Sequence, residues 1–167
     1  MILPFVIAGL GAIATAVAGA LLTKLGAWYR DLRKPSWQPP DWLFGPAWTV
    51  IFALAAYAAG AGWESAPDEA TRTTIVGLFV ANALLNMFWS WLFFTRQRPD
   101  WALVEVAALW LSIFALIVVL APVSAPLSTP ASLAMVPYLL WVSFASFLNL
   151  TIVRLNRPFG AVRASRA

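Results

Sequence analysis

The chain has no cysteine and no histidine, and only 11% of its 167 residues are charged. Without either residue type there is no disulfide, no thiol nucleophile, no zinc site of the usual kind, and no His or Cys ligand for a haem iron. The scarcity of charge excludes an ordinary soluble domain, in which about half the residues are apolar and about a quarter charged. Here 62% are hydrophobic and the mean hydropathy is +0.79. The few charges are unbalanced, 11 Lys plus Arg against 7 Asp plus Glu. In a membrane chain such an excess reports orientation rather than nucleic-acid binding. Linkers, low-complexity tracts and internal repeats are also missing, so one domain is expected over residues 1–167.

What is present is five long apolar runs, at residues 2–22, 43–62, 74–95, 101–121 and 131–153. Each approaches the ~20 residues that an α-helix needs to cross hydrocarbon. The backbone must satisfy its own hydrogen bonds there, so helices are the only reading for runs of this length. Their only charge is Glu105, near the start of the fourth run, expected to be a solvated or paired end residue. The first run carries AGA at 18–20, like a signal-peptide cleavage site. It lacks a basic segment before it and exceeds the ~7–15 residues of a signal core, so a retained helix is expected. Five spans place Lys24, Arg30, Arg33, Lys34, Arg96, Arg98, Arg154, Arg157, Arg163 and Arg166 on one side and only Arg72 on the other. The positive-inside rule then predicts an outside amino terminus and a cytoplasmic carboxyl terminus, in a bacterial inner membrane by this signal. The uncharged stretch 123–132 reads as a turn region. An odd number of spans argues against a simple two-half transporter.

Between the first two runs lies RKPSWQPPDWLFGPAWT, residues 33–49, with four prolines and three tryptophans. Pro35, Pro39, Pro40 and Pro46 stop a regular helix from passing through it, and irregular backbone does not face lipid. Two readings remain open. The tryptophans form an interfacial aromatic belt, or Trp37 and its stiff neighbours form a lid over a cavity.

Depth along the spans points beneath that loop. At ~1.5 Å per residue, Trp48 lies ~8 Å inside its span, Trp89 ~9 Å, Asn86 ~13 Å and Trp141 ~18 Å, all from the loop side. Asn82, Asn86, Trp89 and Phe93 share one helical stripe, and Trp141, Ala145 and Leu148 another. Membrane amides are costly unless paired, and interhelical hydrogen bonding, worth ~0.6–2 kcal/mol, is the plain account of Asn82 and Asn86. Pro137 predicts a kink in the fifth helix that frees the Leu133 carbonyl. Ala8, Ala12, Ala16 and Ala20 form a small stripe for close packing or for a smooth wall against a flat ligand. Gly77 with Ala81, and Ala56 with Gly60, are small pairs suited to helix dimers.

WYRDLRKPSWQPPDWLFGPAWT (28–49), NALLNMFWSWLFF (82–94) and VPYLLWVSFASFLNLTIVRLN (136–156) resemble the motifs of the translocator protein family. It is also called the tryptophan-rich sensory protein, or peripheral-type benzodiazepine receptor, family. The likeness covers nearly the whole chain and suggests a bacterial member. It implies an all-α, polytopic bundle of five transmembrane helices with the Pro/Trp-rich loop as lid, and often a homodimer. It implies binding of porphyrins, haem, sterols and isoquinoline or benzodiazepine drugs, and it leaves an outer-membrane location open. By motif the pocket falls on Tyr29, Trp48, Asn82, Asn86, Trp89, Trp141 and Ala145. The aromatic lid reading adds Trp37, and the two stripes add Phe93 and Leu148. Animal members carry a cholesterol motif with Tyr just after the Leu-Asn pair. Leu150 stands there in this chain, so a tetrapyrrole is expected ahead of a sterol.

The expected function is therefore a receptor or transport-type protein that binds a flat hydrophobic ligand, protoporphyrin or haem, with no required cofactor or metal. The propionates are expected to meet Arg30, Arg33 or Lys34, and a metal-free ring should bind. The alternative is an enzyme that degrades porphyrin in light, with Trp48 and Trp141 as electron donors. Neither reading supplies an acid/base pair within the spans, and no catalytic residue is assigned.

Overall fold

In the computed structural model, which describes residues 2–123 and 130–159, every regular element is helical. α1 spans Leu3–Leu22, the short α2 Ala27–Asp31, α3 Phe44–Ser65, α4 Glu69–Ser90, α5 Pro99–Val123, the single turn α6 Ala131–Ala134, and α7 Val136–Asn156. A 3-10 turn, Asp41–Leu43, leads into α3, and a π turn, Trp91–Thr95, continues α4. Five segments are long and apolar enough to cross a membrane: Leu3–Leu22, Asp41–Ser65, Glu69–Thr95, Pro99–Val123 and Ala131–Asn156. They match the five apolar runs. Residues 124–129 of the expected turn region, and Arg163 and Arg166, lie outside the described residues.

Helix ends overrun the apolar stretches where polar caps extend them. The Asp68 carboxylate accepts the Thr71 N–H at 2.7 Å and starts α4 ahead of residue 74. The same hydrogen bond is the main cause holding the Asp68 carboxyl below its usual range. Pro4, Pro46, Pro99 and Pro137 all fall in first turns, where the missing N–H costs little. Pro137 therefore does not kink a continuous helix, as its position suggested. α6 ends at Ala134, Met135 donates its N–H to the Ser132 carbonyl at 3.2 Å, and α7 begins afresh with Pro137 in its first turn.

The five long helices form a closed ring, with α1 against α3, α3 against α6 and α7, α7 against α5, α5 against α4, and α4 back against α1. Away from the first loop the ring is tightly filled. Ile113, Leu116, Leu120 and Met135 are fully buried there. A Cβ on Gly60 would stand 2.5 Å from the Phe5 ring, and one on Gly62 2.5 Å from Leu120 Cδ2. Gly60 is thus used inside the chain, whereas Gly77 and Ala81 are exposed on the outer face of α4.

The other end gathers the connections. Thr95 Oγ1 donates to the Leu22 carbonyl at 3.1 Å. Asn156 clamps the main chain of Arg33, accepting its N–H at 2.7 Å and donating to its carbonyl at 2.8 Å. Lys24, Arg30, Arg33, Lys34, Arg96, Arg98, Arg154 and Arg157 therefore share one end. Arg72 sits at the other, paired with Glu69 at 3.4 Å and over the Trp63 ring at 5.7 Å.

Candidate ligand-binding cavity

From the middle of the bundle to the first loop the helices line a cavity of about 830 Å³, open in part to the outside, since Ala20 of α1 and Gly45, Thr49 and Ala53 of α3 in its lining are exposed. One wall is α1, which offers Gly9, Ala12, Ala16, Gly19 and Ala20, with Ile13 its one large side chain. The facing wall is aromatic: Phe44, Trp48 and Phe52 from α3, Trp89 and Phe94 from α4 and its π turn, and Trp141 from α7. These rings engage one another. Phe44 meets Trp141 edge-on at 5.6 Å, Trp48 meets Trp141 at 6.5 Å and Tyr138 at 5.8 Å, and Trp48 stacks on Phe52 at 5.3 Å. Edge-to-face and offset contacts at such distances are the preferred aromatic geometries. Rings propped on rings keep their bulk on one side, and the small residues of α1 leave the space opposite open.

The first loop closes the cavity through α2 and the 3-10 turn. Tyr29 is buried, packs on Phe94 at 5.6 Å, and donates its hydroxyl to Asp41 Oδ1 at 2.9 Å. Burial, then the Asp41 carboxylate, push the Tyr29 phenol up to about 12. Gln38 Nε2 reaches the Tyr29 oxygen at 3.3 Å and Asp41 Oδ1 at 3.4 Å, and Lys34 Nζ stands 3.6 Å over the Tyr29 ring. A second cavity of about 40 Å³ lies beneath Gln38, between the Trp89–Phe93–Phe94 cluster and Leu148, Asn149 and Ile152.

Tyr29, Trp48, Asn86, Trp89, Trp141 and Ala145 line the large cavity together. Asn86 Nδ2 donates to the Tyr138 hydroxyl at 3.0 Å. The remaining expected residues lie elsewhere. Asn82 is buried one turn before Asn86 in α4, where its Nδ2 donates to Ser112 Oγ at 2.9 Å, so its amide ties α4 to α5. Phe93 stacks on Trp89 at 5.1 Å and lines the small cavity with Leu148. The wide π turn, in which the Arg96 N–H reaches the Trp91 carbonyl at 2.8 Å, shifts the register so that Phe94 faces the large cavity instead. Trp37 lines neither cavity. It is 43% exposed and stacks on Phe147 at 5.2 Å and edge-on against Phe144 at 5.9 Å, pinning the loop to the outside of α7. The cover over the cavity is Tyr29 and Asp41.

Two further expectations change. Arg30, Arg33 and Lys34 do not line the cavity, whose one charged lining residue among the described residues is Asp41. Nor is Glu105 a solvated or paired end residue. It is only 9% exposed, and neither carboxyl oxygen has a hydrogen-bond partner among the described residues. α5 starts at Pro99 and is held there by Asn149. In the amide orientation that satisfies both groups, Asn149 donates to the Pro99 carbonyl at 3.0 Å and accepts the Leu103 N–H at 3.2 Å. Glu105 thus lies ~9 Å along the helix and inside the bundle. The Asn82–Ser112 bond between antiparallel α4 and α5 sets the level of Glu105 at that of Trp89, whose indole Nε1 is also buried and unpaired. Among the described residues no cluster of acidic side chains suits a metal ion.

Comparison with known proteins agrees with this architecture. The chain is 45% identical to the tryptophan-rich protein TspO of Chlorobaculum tepidum over 150 residues, covering 86% of this chain and 90% of that one. It is 37% identical to the tryptophan-rich protein TspO of Archaeoglobus fulgidus over 157 residues, covering 93% and 98%. It is 32% identical to the human translocator protein over 130 residues, covering 77% and 75%. The sequence profile of the TspO/MBR family matches residues 2–155. The chain belongs to the TspO/MBR family and is a multi-pass membrane protein of its sensory or translocator type.

Proposed function

We propose that the protein binds a flat hydrophobic ligand, a tetrapyrrole foremost, in the large cavity, and that binding serves sensing or translocation with the basic end of the bundle in the cytoplasm. The observation that carries this reading is the pairing of a smooth Ala/Gly wall with an aromatic wall across about 830 Å³. That volume falls within the ~300–1,000 Å³ typical of small-molecule sites. A porphyrin presents two broad π faces. One would lie along Ala12, Ala16 and Ala20, and the other would meet Trp48 and Trp141, with area burial supplying most of the affinity. No iron ligand from His or Cys is involved, so a metal-free ring serves as well.

Titration of protoporphyrin into purified protein tests this, read as quenching of tryptophan fluorescence. Trp141→Ala removes an aromatic contact of ~0.5–1.5 kcal/mol beyond area burial. Together with the lost apolar area at ~25 cal/mol per Å², it should weaken binding at least about tenfold. Trp141→Phe should be mild. Trp63→Ala, beside Arg72 at the far end of α3, should bind as wild type. Equal binding by Trp141→Ala and wild type, with circular dichroism showing both folded, would contradict the proposal. The 6.5 Å approach of Trp48 and Trp141 also suits electron donation to an excited ring. Loss of bound porphyrin absorbance in light but not in darkness would favour the degradative reading.

A further inference from the structure

Among the described residues the lining of the cavity is neutral except at its mouth, where Asp41 is the one charged residue in contact with it. Its carboxylate is fixed from one side, because the Tyr29 hydroxyl and Gln38 Nε2 both converge on Oδ1, at 2.9 and 3.4 Å. A carboxylate offers about four acceptor positions, and these two bonds occupy one oxygen. Two nearby cations have other contacts: Arg30 Nη1 donates to the Leu25 carbonyl at 3.3 Å, and Lys34 covers the Tyr29 ring, while Asn156 holds the main chain of Arg33. None of the three lines the cavity.

We propose that Asp41 sets the charge preference of the cavity. It favours a flat apolar ligand whose polar end is a cation or an N–H donor, and disfavours one that presents a carboxylate at the mouth. The inference rests on the reading of the cavity as the ligand site. A porphyrin acid entering it is oriented with its carboxylates away from Asp41. Asp41 is itself exposed, so the effect is that of a charge in largely aqueous surroundings. A unit charge ~5 Å away in water changes affinity about fourfold. Salt reduces this, since the Debye length is ~10 Å at 0.1 M.

Three porphyrins with one ring system decide the matter in nanodiscs of zwitterionic lipid: the free dicarboxylic acid, its dimethyl ester, and a diamide ending in primary amines. For each ligand, the affinity of Asp41→Asn is divided by that of wild type, which cancels partition into the bilayer. Asn keeps the acceptor for Tyr29 and removes only the charge. The amine ligand should weaken about fourfold, the diacid, whose carboxylates are turned away from Asp41, should tighten by less, and the ester should not change. Asp41→Glu should behave as wild type, and high salt should shrink both shifts. If Trp141→Ala weakens all three rings while Asp41→Asn shifts all three equally or none, the charge preference is wrong and the site stands. If Trp141→Ala alters none of them, the site reading fails and takes this inference with it.

Discussion

The two ends of the bundle use the same helices in opposite ways. Far from the first loop, α3 carries Ala58, Gly60, Ala61 and Gly62, and its neighbours press so close that a single added carbon would meet Phe5 or Leu120. Near the loop, α3 carries Phe44, Trp48 and Phe52, and there the bundle is hollow. The hollow end is the one with the larger side chains. Bulk opens a cavity when it is braced against other bulk, as Trp48 is against Trp141 and Tyr138, and faces a helix that offers mostly Ala and Gly. Small residues close a bundle when a larger side chain from a neighbour fills the space they leave, as Phe5 does over Gly60.

The strongest way to break this contrast is to exchange bulk between the ends. Ala16→Trp would fill the open wall of α1. It should cost protoporphyrin at least about tenfold in affinity while the melting temperature hardly moves. Gly62→Leu would overfill the closed end and should cost ~1–3 kcal/mol of stability, with unchanged binding by the folded fraction. Thermal unfolding and fluorescence titration of both variants supply the check. If Ala16→Trp unfolds the protein, or Gly62→Leu abolishes binding, the ends are not independent.

Glu105 sharpens the contrast from within the loop-side half. With no hydrogen-bond partner among the described residues, its buried carboxyl is a standing cost, and burying an unsatisfied polar group costs ~1–3 kcal/mol. Glu105→Leu should therefore raise thermal stability by an amount in that range, whereas Glu105→Gln, which stays polar, should gain less. A loss of stability in Glu105→Leu would mean that the carboxyl has a partner.

A smaller effect is expected from the clamp that docks the loop. Asn156→Leu removes both hydrogen bonds to the Arg33 main chain, each worth ~0.5–1.5 kcal/mol net. Freed from α7, the loop should let porphyrin leave several-fold faster in stopped-flow release, with helix content unchanged. An unaltered rate would show that Trp37 against Phe144 and Phe147 holds the loop without help.

How far these features could be read beforehand depends on the physics of each. The five helices were legible because run length against bilayer thickness is a coarse, robust signal. Trp48, Trp89 and Trp141 were legible because helical rise converts position into depth, and the structure sets all three on the wall of one cavity. Phe94 was not legible, since a π turn leaves no mark on a 3.6-residue periodicity, and the stripe pointed to Phe93. Trp37 and Asp41 sit in a proline-locked segment with no period at all, so their directions depend on tertiary contacts with α7 and Tyr29. Glu105 reads as an end residue in the sequence because its apolar run begins at residue 101. The Asn149 cap on the first turn of α5 draws it inside.

The central claim is that the ligand lies inside the ring of helices and not on its outer face. Crystals of the protein with palladium-substituted protoporphyrin would locate the ring by the anomalous signal of the metal. The account predicts the metal between the Ala12–Ala16–Ala20 wall of α1 and the Trp48–Trp141 pair. A metal site on the outer surface, for instance beside the exposed Phe88 and its stacking partner Trp91, would contradict it.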